Sequence, residues 1–206
     1  MHLKKSHVEV MNLYRKDIFL SRTIREISII LKKDYPNTYN SIIELYKNKI
    51  IKIKKVGKSK VCELNLNFEA VSLLSFLDEQ EALSKKIPNI DKVLDLKEFI
   101  DDIILVTGSY SKNTQTSKSD IDLVIITKDD AFKKQKLLEN LTALFHPRMH
   151  AIVITQKDFI GMLLDKKANF GKEIFNSKLI FRNTSRYYGL IKEAINNGFR
   201  GWALSN

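Results

Sequence analysis

Ile103-Ile-Leu-Val-Thr-Gly-Ser-Tyr-Ser-Lys-Asn-Thr-Gln-Thr-Ser-Lys-Ser-Asp-Ile-Asp-Leu-Val-Ile-Ile-Thr127 decides how the chain is read. An apolar run leads into a Gly-Ser turn and a polar loop, and two aspartates then open a second apolar run. Both runs have the length and β-branched content of strands. Side chains two apart in a strand share a face, so Asp120 and Asp122 aim together while Ile121 and Leu123 enter the core. Two adjacent carboxylates repel unless a cation lies between them. Hard divalent ions such as Mg²⁺ take oxygen ligands from one or two protein carboxylates plus substrate phosphates. Gly108 lets the backbone approach a triphosphate closely, and Ser109 adds a hydroxyl and a backbone N–H. The pattern reads as a phosphate cradle beside a metal site. Asp-x-Asp alone is common as a structural motif; its combination with strand, turn, loop length and second strand makes the signal specific.

Gly108-Ser109, ten residues and then Asp120-x-Asp122 resembles the signature of the DNA polymerase β-like nucleotidyltransferase superfamily, and most of all its minimal members, over about residues 88 to 160. The resemblance implies that Gly108 and Ser109 bind nucleotide phosphates and that Asp120 and Asp122 are the catalytic, metal-holding pair. Mg²⁺ and ATP, or another NTP, would then be the cofactors of transfer of a nucleoside monophosphate to an acceptor hydroxyl. Lys112 or Lys118 would neutralise charge on departing pyrophosphate. Where the family usually has Gly after the basic residue, this chain has Lys112-Asn113, and Asn tolerates left-handed backbone angles.

The family's third carboxylate sits on a later strand, matched here by Arg148-Met-His-Ala-Ile-Val-Ile-Thr155, with His150 at the expected position. No Asp or Glu lies between Glu139 and Asp158. A neutral imidazole can bind a metal or accept a proton near neutral pH, but it supplies no negative charge. The other reading of His150 is a strand residue hydrogen-bonded at the sheet end. His146, followed by Pro147, reads as a loop residue.

At 206 residues the chain holds one large domain or two small ones, with 44% hydrophobic and 29% charged residues, the balance of an ordinary globular protein. No apolar run approaches the roughly 20 residues of a membrane span. Lys4, Lys5 and Glu9 lead straight into Arg15-Lys16-Asp17, so neither a leader peptide nor a membrane partner is expected, and a cytoplasmic location is. A single cysteine, Cys62, excludes an internal disulfide and a zinc-knuckle framework.

Charge is concentrated at one end. Residues 1 to 60 contain 15 Lys/Arg and 5 Asp/Glu, a net +10 of the chain's +11, whereas residues 61 to 100 carry 4 Lys and 8 acids. A confined basic block points to a separate module with a polyanionic partner. Within it Leu20, Ile24, Ile27 and Leu31 recur at helical spacing behind Ser21 as N-cap. After a break at Asp34-Tyr35-Pro36-Asn37, Tyr39, Ile42, Ile43 and Tyr46 mark one face of a second helix. Ile50 to Leu66 follows as two strand-like runs around Gly57, a hairpin with a lysine-rich tip. Over about residues 7 to 67 this order resembles a winged helix-turn-helix. That resemblance makes Pro36 to Lys47 the recognition helix, exposing Asn37, Thr38, Asn40, Ser41 and Lys47 to double-stranded DNA, with Lys54, Lys55, Lys58 and Lys60 of the wing on phosphates. The alternative use of such a module is dimerisation or protein contact.

Phe68 to about Lys85 has helical periodicity through Val71, Leu74, Phe76 and Leu77, and Ile87-Pro88-Asn89 ends it. A helix is expected over about 90 to 100, and another from about 130 to 145 capped by Asp129 and Asp130. Thr155-Gln-Lys-Asp158 starts a further helix. The tail reads as a helix near 169 to 176, a strand near 178 to 182 and a helix from about 184 to 197, with Tyr187, Tyr188 and Trp202 as core or interface aromatics.

The expected class is α+β, with a winged helix-turn-helix at 1–67, a connecting helix at 68–87 and a nucleotidyltransferase domain, a mixed sheet flanked by helices, at 88–206. The expected activity is Mg-dependent transfer of NMP, AMP from ATP, to a hydroxyl. By analogy with minimal nucleotidyltransferases that act as antitoxins, the acceptor would be a protein such as a partner toxin; a homodimer is a further expectation. The competing class is a DNA-binding transcriptional regulator whose nucleotidyltransferase domain is catalytically inactive.

Overall fold

The computed structural model describes residues 2–201, so Trp202 lies outside the described residues. The chain divides into two compact units, Met1–Leu77 and Asp78–Asn206. In the first, α1 (Lys5–Lys16) buries His7, Val10, Met11 and Tyr14, the spacing of one helical face. β1 (Ser21–Thr23) leads into α2 (Ile24–Leu31), and α3 (Tyr35–Lys47) starts behind Asp34, whose side chain accepts from Asn37 N–H. β2 (Ile51–Val56) and β3 (Ser59–Leu64) form the antiparallel hairpin expected around Gly57, which adopts φ +59°. β1 joins β3 on its other side, giving the sheet order β1-β3-β2. Cys62 on β3 is buried, and desolvation raises its thiol to about 11, so it packs as an inert apolar group.

Two local expectations need correction here. Ser21 does not cap α2: it is strand, and the cap is Thr23, which accepts from Glu26 N–H while the Glu26 carboxylate takes the Thr23 N–H. The buried face of α3 is not Tyr39, Ile43 and Tyr46 but Thr38, Ser41, Ile42 and Leu45. Helical spacing fits both faces, and contacts with α1 and α2 choose the phase. Thr38 and Ser41 satisfy their hydroxyls on the carbonyls four residues back, Asp34 and Asn37, and so tolerate burial.

α4 (Phe68–Ser84) is capped by Asn67, which accepts from Ala70 N–H, and the division between the units falls inside it. Ala70 and Leu74 are fully buried, while Phe76, expected on the inner face, is exposed.

The second unit does not form one helix over 90–100. α5 (Ile90–Leu94) is followed by a separate 3₁₀ turn, Lys97–Phe99. β4 (Ile103–Thr107) runs into α6 (Gly108–Lys112), β5 (Ile121–Thr127) into α7 (Ala131–Thr142), and β6 (Met149–Thr155) into α8 (Gln156–Leu164). α9 (Phe170–Asn176), β7 (Leu179–Arg182) and α10 (Thr184–Asn196) complete the described chain. The four strands make a mixed sheet in the order β6-β5-β4-β7, with only the β5–β6 pair parallel. Every residue of β4 is buried, as is every residue of β5 except Asp122. Ile104, Val106, Ile121, Leu123 and Ile125 share one core cluster.

Asp129 and Asp130 do not cap α7: Asp130 is left-handed and makes no side-chain cap, and Asp129 contributes its carbonyl to Thr127. The Thr155–Asp158 capping box opens α8 as its spacing predicts. Tyr187 and Tyr188 are core, the Tyr188 hydroxyl donating to the buried Asp78 at 2.5 Å. No helix among the described residues is long and apolar enough to cross a membrane.

Candidate functional site

The end of β4 and the start of β5 meet in antiparallel register, with Thr107 opposite Asp122. Immediately after Thr107, Gly108 turns the chain at φ +68°. A Cβ on Gly108 would overlap Asp122 Oδ2 and stand 3.0 Å from Asp122 Cγ. The glycine therefore makes room for a carboxylate as well as for a turn. Asp122 is 39% exposed on its side chain, and its open side faces His150, whose Nδ1 is 3.8 Å from Oδ1. The parallel β5–β6 register sets that pair, placing Asp122 directly beside His150, with the Ile121 N–H on the Arg148 carbonyl one step earlier. His150 thus stands beside the carboxylate as the strand alignment anticipates, solvent-exposed rather than tucked into the sheet end.

The Gly-Ser turn is pinned by residues that sequence reasoning missed. Thr107 Oγ1 donates to the Ser177 carbonyl at 2.7 Å. Ser111 Oγ binds the Gly108 carbonyl at 2.9 Å and the Ser177 hydroxyl at 2.7 Å. Nothing in the sequence marks Ser177, which lies 70 residues from Thr107 and reaches it only through the α9–β7 connection. Asn113 closes α6 at φ 55°, the left-handed angle its identity permits, and accepts from Lys85 Nζ at 2.8 Å. Ser109 is half-buried with its hydroxyl unbonded among the described residues, while Lys112, Lys118 and Asp120 are exposed around the loop. Among the described residues no group of three or more His, Cys, Asp and Glu side chains is placed to hold a metal ion.

Residues 89–174 match the family model of the nucleotidyltransferase domain. The matched stretch contains the Gly-Ser turn, both aspartates and His150, and covers less than half of the chain. No curated protein and no solved structure matches the chain. Within the matched stretch the structure brings together Gly108, Asp122 and His150.

In the first unit the expected base-reading residues separate. Asn40 and Lys47 are exposed, but Thr38 and Ser41 are buried at 3% and 5% and cannot reach a groove. Asn37 is exposed yet donates to the Asp34 carboxylate. On the hairpin Lys55 and Lys58 are exposed, whereas Lys54 pairs with Glu63 at 2.5 Å and Lys60 donates to the Tyr39 hydroxyl at 3.2 Å. The hydrogen bond from Lys54, followed by its charge, holds the Glu63 carboxyl below its ordinary value against the opposing effect of burial.

Proposed function

We propose that the chain transfers a nucleoside monophosphate, AMP from ATP, to an acceptor hydroxyl, and that its first unit is a winged helix-turn-helix that binds DNA. The observation that carries the transferase reading is the seat of Asp122, whose carboxylate occupies the space left by the missing Cβ of Gly108. The turn meant for phosphates and the acid meant for a cation are one construction. Asp120 and Asp122 are oxygen donors suited to Mg²⁺, and with no third carboxylate grouped with them among the described residues the ion's shell would be completed by nucleotide phosphates. Bound there, Mg²⁺ would draw negative charge from the triphosphate and from departing pyrophosphate. Ser109 offers its free hydroxyl to the phosphates, and Lys112 and Lys118 approach them from the exposed loop. The order α1-β1-α2-α3-β2-β3 with a basic hairpin tip supports the winged-helix reading. A toxin-like protein encoded beside this chain is the acceptor the antitoxin analogy favours.

One observation favours a second reading, a DNA-binding regulator with an inactive transferase domain: the position facing Asp122 is a histidine rather than a third acid. Incubation of the full chain with α-labelled ATP and Mg²⁺, with and without the protein encoded next to it, tests the first. Label should reach a protein hydroxyl, and Asp120→Ala with Asp122→Ala should abolish it. Mg²⁺-dependent ATP binding without transfer would select the regulator, and equal ATP affinity with and without Mg²⁺ would remove the metal site from both. His150→Asp should raise Mg²⁺ affinity if its position is that of a metal-facing acid; loss of thermal stability without that gain would count against it.

A further inference from the structure

The first unit has two grooves of similar size and opposite character. One, about 650 Å³ between α1 and α3, mixes lysines with Glu9, Asp34 and Glu44 and neutralises itself through Lys4–Glu44 and Lys33–Glu9 ion pairs. The other, about 660 Å³, opens between the start of α2, the start of α3 and the hairpin turn. Its walls carry Arg25, Lys58 and Lys60, and no Asp or Glu among the described residues lines it. Beside these cations stand Ile29, 66% exposed, and Tyr35, 47% exposed. Tyr39 backs Tyr35 with ring centroids 6.0 Å apart and is itself engaged by Lys60, whose Nζ lies 5.1 Å from the ring centre.

We propose that this cleft binds an unpaired nucleotide of single-stranded nucleic acid, the base against Tyr35 and Ile29 and the flanking phosphates on Arg25 and Lys58. The inference rests on reading the first unit as a nucleic-acid module, and it changes what that module prefers. A duplex keeps its base faces stacked and offers a protein phosphates, sugars and groove edges, for which cations and small polar groups suffice. An exposed aromatic ring and an aliphatic wall set among uncompensated cations serve a base whose face is free. The cleft volume also admits a nucleotide.

Fluorescence anisotropy of the full chain with a labelled oligothymidylate of about 12 nucleotides, and with a duplex of the same length, tests this. The single strand should bind, Tyr35→Ala should weaken it about 10-fold, and Tyr35→Phe should retain it, because the stacked ring supplies the affinity. Arg25→Gln with Lys58→Gln should weaken it further and flatten its salt dependence. Wild-type affinity of Tyr35→Ala for the single strand would overturn the proposal. Binding of duplex but not single strand would also overturn it, leaving the nucleic-acid reading of the unit in place. Binding of neither would overturn both.

Discussion

Gly108 is constrained twice, by a left-handed φ of +68° and by the Asp122 carboxylate occupying the space of its absent side chain. A turn at Gly108 was legible from the strand-Gly-Ser pattern; the collision was not, because it arises from the register that sets Thr107 opposite Asp122. Gly108→Ala should therefore cost about 1–3 kcal/mol, the range for a non-glycine residue held in a sparsely populated backbone region. The two constraints separate in a double-mutant cycle read by urea unfolding. Gly108→Ala combined with Asp122→Ala should recover part of the loss, since only the backbone penalty remains. Strictly additive effects would show that Asp122 rotates away freely and that the carboxylate is not held by the turn. Thr38 and Ser41 carry the matching lesson in the first unit: residue type marked them as DNA-facing, and the phase of α3 buried them.

β6 lies at one edge of the four-stranded sheet, where unpaired backbone groups invite another strand. Gln135 on α7 covers them: its amide donates to the Ala151 carbonyl at 3.0 Å, and its carbonyl accepts from Val153 N–H at 2.7 Å. A side chain thus stands in for one peptide unit of a missing neighbour strand, braced by Glu139 at 2.9 Å. Gln135→Ala should destabilise the protein by about 1–3 kcal/mol, the cost of leaving partly buried polar groups unpaired. It should also raise concentration-dependent self-association, read by sedimentation velocity. Gln135→Glu should not rescue either property, because a carboxylate cannot donate to Ala151 and repels Glu139. An unchanged unfolding midpoint in Gln135→Ala would show that water replaces the amide without loss. Strand order is invisible in a single sequence, so the sequence could not show that β6 needed covering. The α2 cap, by contrast, is written locally, because Thr23-x-x-Glu26 is a capping-box signature.

Over the whole molecule, the basic end is real but its cations are unequal. Lys54 is matched by Glu63, while Lys55 and Lys58 stand exposed at the hairpin tip. If the first unit contacts phosphates, Lys55→Gln and Lys58→Gln should each lower the slope of log affinity against log salt by about 0.9 for duplex DNA. Lys54→Gln should change it less, because its charge is already compensated within the fold. Equal slope changes for all three would show that the Lys54–Glu63 pair opens on binding. The sequence by itself determined most of the order of helices and strands, the glycine turns and the pairing of a Gly-Ser loop with Asp-x-Asp. Periodicity, caps and turn chemistry are written in residues a few positions apart. Only the tertiary structure decided which face of α3 is buried, which lysines remain free, that Ser177 pins the turn, and that Gln135 seals an edge. Those outcomes depend on helix phase, strand register and contacts between residues far apart in the chain, and the packing of the folded molecule sets all three.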